Sequence, residues 1–228
     1  MGIRKKLKRS FSNLYMSNRK FSVKKDLHKF ILKSDHPCFA AQTLAEQKTY
    51  DFDIYSKIES SFTAQQILEN IENFLENYDF ESDRYRTYIA VFPDEYFSSE
   101  EEFENALWQL LSFINMYDNV PWDDTVSKDL GNSNFSFSIK GKAFCIASMH
   151  PECSITARRT KYPILVFNLN WQSEQLRKHN LYRKSRNHIQ EREMNLFGNV
   201  NPVSSKLLQF SSVKPQENWE GQFKNKEK

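Results

Sequence analysis

His150 is the residue whose type and position carry the most chemistry. It stands where a run of strand formers, Ala143 to Met149, comes to an end, and Pro151 follows it. A proline biases the residue before it to extended backbone and cannot donate to a ladder, so the strand stops there and the imidazole is mounted on a rigid end. An imidazole so held can present a ring nitrogen to haem iron, or it can be a plain hydrogen-bonded or surface histidine. Arg158 and Arg159 lie shortly beyond it. Paired guanidinium groups suit carboxylate or phosphate, haem propionates among them, or they form an exposed basic pair. In a strand the two would point to opposite faces. Cys153 with His150 makes a thiol–imidazole combination, but nothing near it in sequence activates the thiol. His36, just before Pro37 at a helix start, reads either as functional or as an ordinary helix-entry residue.

Other chemistry finds little support. The sequence holds no GxSxG, no Walker A and no GxGxxG, which removes the motif evidence for a hydrolase elbow, a P-loop or a dinucleotide fold. The acids Asp123, Asp124 and Asp129 lack the glycine and terminal glutamate of a calcium loop and read as a solvated loop. Three cysteines at irregular spacing, with no CxxC, give neither a disulfide framework nor a zinc ribbon. No apolar run is long enough to span a membrane, and a reducing, cytoplasmic setting is expected.

These residues need elements to hold them. Thr63 to Tyr78 has one apolar face and reads as a helix capped by Thr63; Tyr85 to Phe92 reads as a strand; a long helix capped by Ser98 or Ser99 follows. Phe135, Phe137 and Ile139 alternate with polar residues, Lys140-Gly141 turns the chain, and Ala143 to Met149 returns as the second arm of a hairpin. Pro163 to Phe167 reads as a buried strand, and from Trp171 the pattern becomes helical, with Asn168 or Asn170 as its cap and a break near Asn180. The fold class is therefore α+β: a mainly antiparallel sheet of about four strands around a central hairpin, covered by about four helices mainly on one face.

Charge divides the chain unevenly. Residues 1–33 carry eleven Lys or Arg against the single acid Asp26, a net +10, which leaves the rest at −7 within a total of +3. Residues 1–33 are thus expected to be a flexible basic arm, loosely helical in its spacing, lying on a surface or packing on its own body. Residues 34–223 form the single domain and 224–228 a solvated tail. The basic stretch Arg177 to Arg192 could follow phosphates, but its interleaved acids make a solvated helix the better reading and nucleic acid an unfavoured partner.

Taken in order, HPCFAAQTL, YIAVF, FENALWQLL, VPWD, NFSFSIKGKAFCIASMHPECS, ARRTKYPILVFNLNWQSEQLR and IQEREMNLFGNVNP resemble the successive blocks of the YqcI/YcgG family, also called FPC/CPF-motif proteins, from His36 to Phe223. The chain departs from that pattern where HPC replaces the opening FPC, and where GQF at Gly221 to Phe223 replaces the closing CPF.

The resemblance implies a haem-dependent oxygenase that hydroxylates an amine or guanidine nitrogen of an arginine-like molecule, using O2 and electrons from a donor or reductase. The alternative is a haem-binding sensor or carrier without turnover. The resemblance implies His150 as axial ligand to the iron; His36, gained by the departure from the opening FPC, could serve as a second ligand or a distal acid. Arg158 and Arg159 would meet the propionates, and Phe137, Phe144 and Trp171 would wall the haem, plain core packing being the alternative for each. Asn168 or Asn170 could donate to bound oxygen or substrate, or only cap the next helix, and Glu174 could meet a cationic substrate. The oligomeric state stays open, a homodimer among its forms.

Overall fold

The computed structural model describes residues 2–32, 38–82, 84–132 and 134–197. At its centre lies an open five-stranded mixed sheet in the order β1-β2-β5-β4-β3, made of β1 Tyr50–Ile54, β2 Thr87–Val91, β3 Phe137–Ile139, β4 Lys142–Met149 and β5 Ile164–Leu169. β1 and β2 are parallel, and the remaining neighbours are antiparallel. The expected sheet of about four strands, mainly antiparallel, is corrected in both respects by β1. Its sequence, YDFDI, places acids at alternate positions and so lacks the apolar run that marks a buried strand.

β2, TYIAV, is buried at every position, because the sheet is covered on both sides. Over one face lie α3 (Ser61–Glu76) and α4 (Glu100–Tyr117). Their apolar stripes, with Ile67, Ile71, Phe103, Leu107 and Leu111, pack with Tyr88, Ala90, Phe144 and Phe167. α3 also bridges the parallel strands β1 and β2, as such a connection requires. Ser60, rather than Thr63, caps α3, its side chain accepting a hydrogen bond from the Thr63 N–H. Ser99 caps α4, with Glu100, Glu101 and Glu102 in the first turn, where carboxylates favour the helix dipole.

The opposite face is covered by α1 (Gly2–Leu32). The chain is helical here, and Val23 and Leu27 are buried against Tyr50, Ile89, Val91 and Ile164. Lys161 Nζ and the Tyr162 hydroxyl both reach Asp26, at 2.8 and 2.7 Å. Of the two placements open to residues 1–33, packing on the body is the one observed for the second half of this helix. Helices therefore lie on both faces, and the described residues hold six: α1, α2 (Phe39–Gln47), α3, α4, α5 (Asn170–Lys178) and α6 (Tyr182–Phe197).

The hairpin of β3 and β4 forms as expected, although β3 starts at Phe137; Phe135 makes only an isolated bridge to Ser127. Lys140 and Gly141 both have positive φ, 51° and 68°, as a two-residue turn of this hand demands. Acids of the preceding loop hold the hairpin: Asp118 Oδ2 accepts from the Lys140 N–H, and Asp123 Oδ2 from the Ala143 N–H. Asn180 is left-handed, with φ 57°, and divides α5 from α6. No helix among the described residues is long and apolar enough to cross a membrane.

Candidate functional site

β4 pairs with β5 as far as Met149 opposite Ile164, and His150 is the next residue. It is fully buried. Its ring lies against Phe103 with centroids 4.6 Å apart. The chain then turns back tightly, the Cys153 N–H donating to the His150 carbonyl at 3.2 Å. A single 3-10 turn, Thr156–Arg158, follows. Arg159 Nε donates to the Cys153 carbonyl at 2.6 Å, and the Ser154 N–H donates to Glu100 Oε1 at 2.7 Å. These bonds gather three potential ligands. The ligand atoms of Glu100, His150 and Cys153 all lie within 4.8 Å of one another.

Burial lowers the His150 pKa below the usual imidazole value, and the Glu100 and Glu152 carboxylates only partly offset it. The ring is thus held neutral. Burial likewise pushes the Cys153 thiol up to about 12, with a backbone contact at Ile155 opposing. A thiol so protonated is not an activated nucleophile.

Only part of the expected site comes together. Arg158 is buried and Arg159 exposed, both in the turn after His150. Phe137 and Phe144 are fully buried in the main core. Trp171 lies at the other end of β5, edge-on to Tyr78, Phe80 and Tyr85. The six residues of β5 separate that end from His150, roughly 17 Å at the usual rise per residue. Asn168 accepts from the Thr87 hydroxyl at 2.8 Å, and Glu174 is exposed on α5. Neither caps nor faces the His150 end, and α5 begins after Leu169 without a side-chain cap. His36 and the segment Gly221 to Phe223 lie outside the described residues.

A haem asks that an axial imidazole look onto a broad flat space with apolar walls. Here the imidazole is closed in by Phe103, with a carboxylate and a thiol beside it, and the expected wall residues are in the core or at the far end of the sheet. The described residues around His150 do not fit a haem pocket.

A second polar region, at the sheet edge, involves none of the residues expected from the sequence. Between β1 and α3 lies an open cleft of about 560 Å³ lined by Asp51, Asp53, Asn70, Asn73, Asn77, Phe74, Arg86 and Tyr88. The two aspartates are alternate residues of β1 and so share one face. Arg86 lies in this cleft: it donates to Asp51 Oδ2 and to the Asn77 carbonyl, each at 2.5 Å, and sits over the Phe74 ring at 5.4 Å. Lys20 of α1 pairs with Asp53. Behind them the Tyr55 and Tyr88 hydroxyls meet at 2.5 Å, Asn70 donates to Tyr55, and the Tyr88 hydroxyl donates to Asp53 at 3.3 Å. Burial raises both phenol pKa values, so the pair stays protonated. The signal for this site was the alternating Asp-Phe-Asp of β1, a strand period with carboxylates on one face.

Fold and sites together define an α+β protein with a doubly covered, open mixed sheet, a closed titratable cluster at one strand end and an acidic cleft at the sheet edge. The chain belongs to the YqcI/YcgG family, whose model matches residues 27–226. The match begins at Leu27, the anchor of α1, rather than at His36. No curated protein and no solved structure matches the chain.

Proposed function

We propose that this chain is an N-oxygenating enzyme for a small amine or guanidine cation. The net reaction is R–NH2 + O2 + 2 e⁻ + 2 H⁺ → R–NHOH + H2O, with the electrons supplied by an external donor. The reaction class rests on the resemblance of the sequence blocks to haem-dependent guanidine N-hydroxylases; the family match by itself names no activity. The observation that carries the substrate class is the cleft between β1 and α3. Its aspartates, amides and aromatic face already satisfy one guanidinium, that of Arg86, by ion pair, hydrogen bond and ring contact. Those are the contacts a guanidinium ligand seeks. A second cation would take Asp53 in exchange for Lys20, with Asn70, Asn73 and the protonated Tyr55–Tyr88 pair fixing its orientation.

The redox group implied by the resemblance is haem. The described surroundings of His150 do not fit it, and the part that falls to the cleft is to bind the cation and hold it by its charged end.

Titration of the protein with arginine and with guanidinium, followed by NMR or calorimetry, tests the reading. Saturable binding is expected, weakened on the order of tenfold in Asp53→Asn, the effect of losing one charge-assisted hydrogen bond. Binding unaffected by Asp51→Asn and Asp53→Asn would sink the cleft as substrate site. Supplying haem, reductant and O2 then asks for hydroxylated product. A haem absorption band without product points to a sensor or carrier instead.

A further inference from the structure

We propose that Glu100, His150 and Cys153 are the protein ligands of a single divalent first-row transition-metal ion, of the zinc or iron(II) type, with a fourth position open to water or a small ligand. This site is separate from the cleft and does not rest on its function. The three ligand atoms lie within 4.8 Å of one another. Ligands around a tetrahedral ion with bonds of 2.0 to 2.3 Å are about 3.5 Å apart, so shifts of the order of an ångström close the site. The donors come from three places that the backbone fixes independently: the first turn of α4, the end of β4, and the turn after Pro151. Second contacts already orient them. Ser154 N–H holds one oxygen of Glu100, leaving the other for the ion, and Arg159 grips the carbonyl of Cys153. Outer partners of this kind set ligand direction in metal sites.

The donor set fits the ion class. One nitrogen, one thiolate sulfur and one carboxylate oxygen suit a borderline ion and exclude calcium or magnesium, which take oxygen alone. Thiolate and carboxylate together neutralise a divalent charge, which a site with buried His150 and Cys153 needs. Three protein ligands and an open fourth position is the arrangement of a reactive rather than a closed structural ion.

The test uses the full chain, stripped by chelator and titrated with Co2+. One equivalent should produce a thiolate-to-cobalt band in the near ultraviolet and the strong visible bands of a four-coordinate ion, and Zn2+ should bleach both. Cys153→Ser should remove the near-ultraviolet band, and His150→Ala should weaken binding by more than roughly 100-fold, beyond the loss expected for an outer partner. Circular dichroism checks the fold of each variant. Should either variant misfold, the double variant Cys38→Ser, Cys145→Ser keeps Cys153 as the sole thiol and must retain the band. No saturable Co2+ uptake, or a band that survives Cys153→Ser or vanishes in the double variant, overturns the site. A haem band removed by His150→Ala in protein that takes up no Co2+ also overturns it, in favour of haem on the same imidazole. Failure of the cation titration at the cleft leaves the metal result untouched, so the two readings fail separately.

Discussion

The His150 end of β4 and the cleft beside β1 both concentrate ionisable groups, but by opposite means. At His150 the imidazole and the Cys153 thiol are buried and held neutral, the first below its usual pKa and the second far above. In the cleft the groups are charged and answered by charges of the other sign, Arg86 against Asp51 and Lys20 against Asp53. Desolvation governs the first and ion pairing the second. The closed end should therefore matter most to stability and to pH, and the open cleft to ligands and salt.

The largest effect should come from the packing that closes His150 in. Phe103→Ala removes a fully buried ring that touches both His150 and Phe97, at a cost of about 3–5 kcal/mol read from urea unfolding. A loss under ~1 kcal/mol would mean the end is not closed in solution. Tyr55→Phe comes next. It removes the hydroxyl shared by Tyr88 and Asn70, at about 1–2 kcal/mol, since buried partners are left unsatisfied. An unchanged midpoint would show water already serving that network.

A smaller effect should appear in pH. In metal-free protein, the unfolded chain takes a proton on His150 near pH 6.5, while the folded chain, with its lowered value, resists it. The unfolded state then binds more protons, so stability falls as pH drops below about 6.5 and levels off once pH passes the folded value. His150→Gln should flatten this slope, and an identical slope in the variant would place the titration elsewhere. The smallest effect belongs to the surface: Lys161→Ala breaks an ion pair to Asp26 through an exposed lysine and should leave the urea midpoint within error. A clear loss there would mean that α1 is held by charge and not by Val23 and Leu27.

How far this could be read from sequence depends on what each feature encodes locally. The hairpin was legible because alternation and Lys140-Gly141 are local signals, and α4 because Ser99 and its acids mark a start. β1 was not, since a parallel edge strand with acids at every second place carries no apolar run. His150 was found by its mount at a strand end. Its partners were not, because Glu100 reads as an ordinary first-turn acid and meets Cys153 only through the packing of α4 on β4. Trp171 and Asn168 are near His150 in sequence terms, yet an antiparallel strand carries them to the opposite end of the sheet.

The docking of α1 changes what a deletion can mean. Cutting the chain before residue 34 looks like the removal of a charged tail, a natural way to ask what eleven basic residues are for. It would also strip a wall from the sheet, bare Ile89, Val91 and Ile164, and remove the Lys20 ammonium from Asp53. Aggregation or altered cation binding in such a fragment would then say nothing about charge. The exposed lysines Lys24 and Lys25, on the same turns as Val23 and Leu27 but pointing outward, allow the two questions to be put apart: reversing them alters the charge and leaves the wall in place.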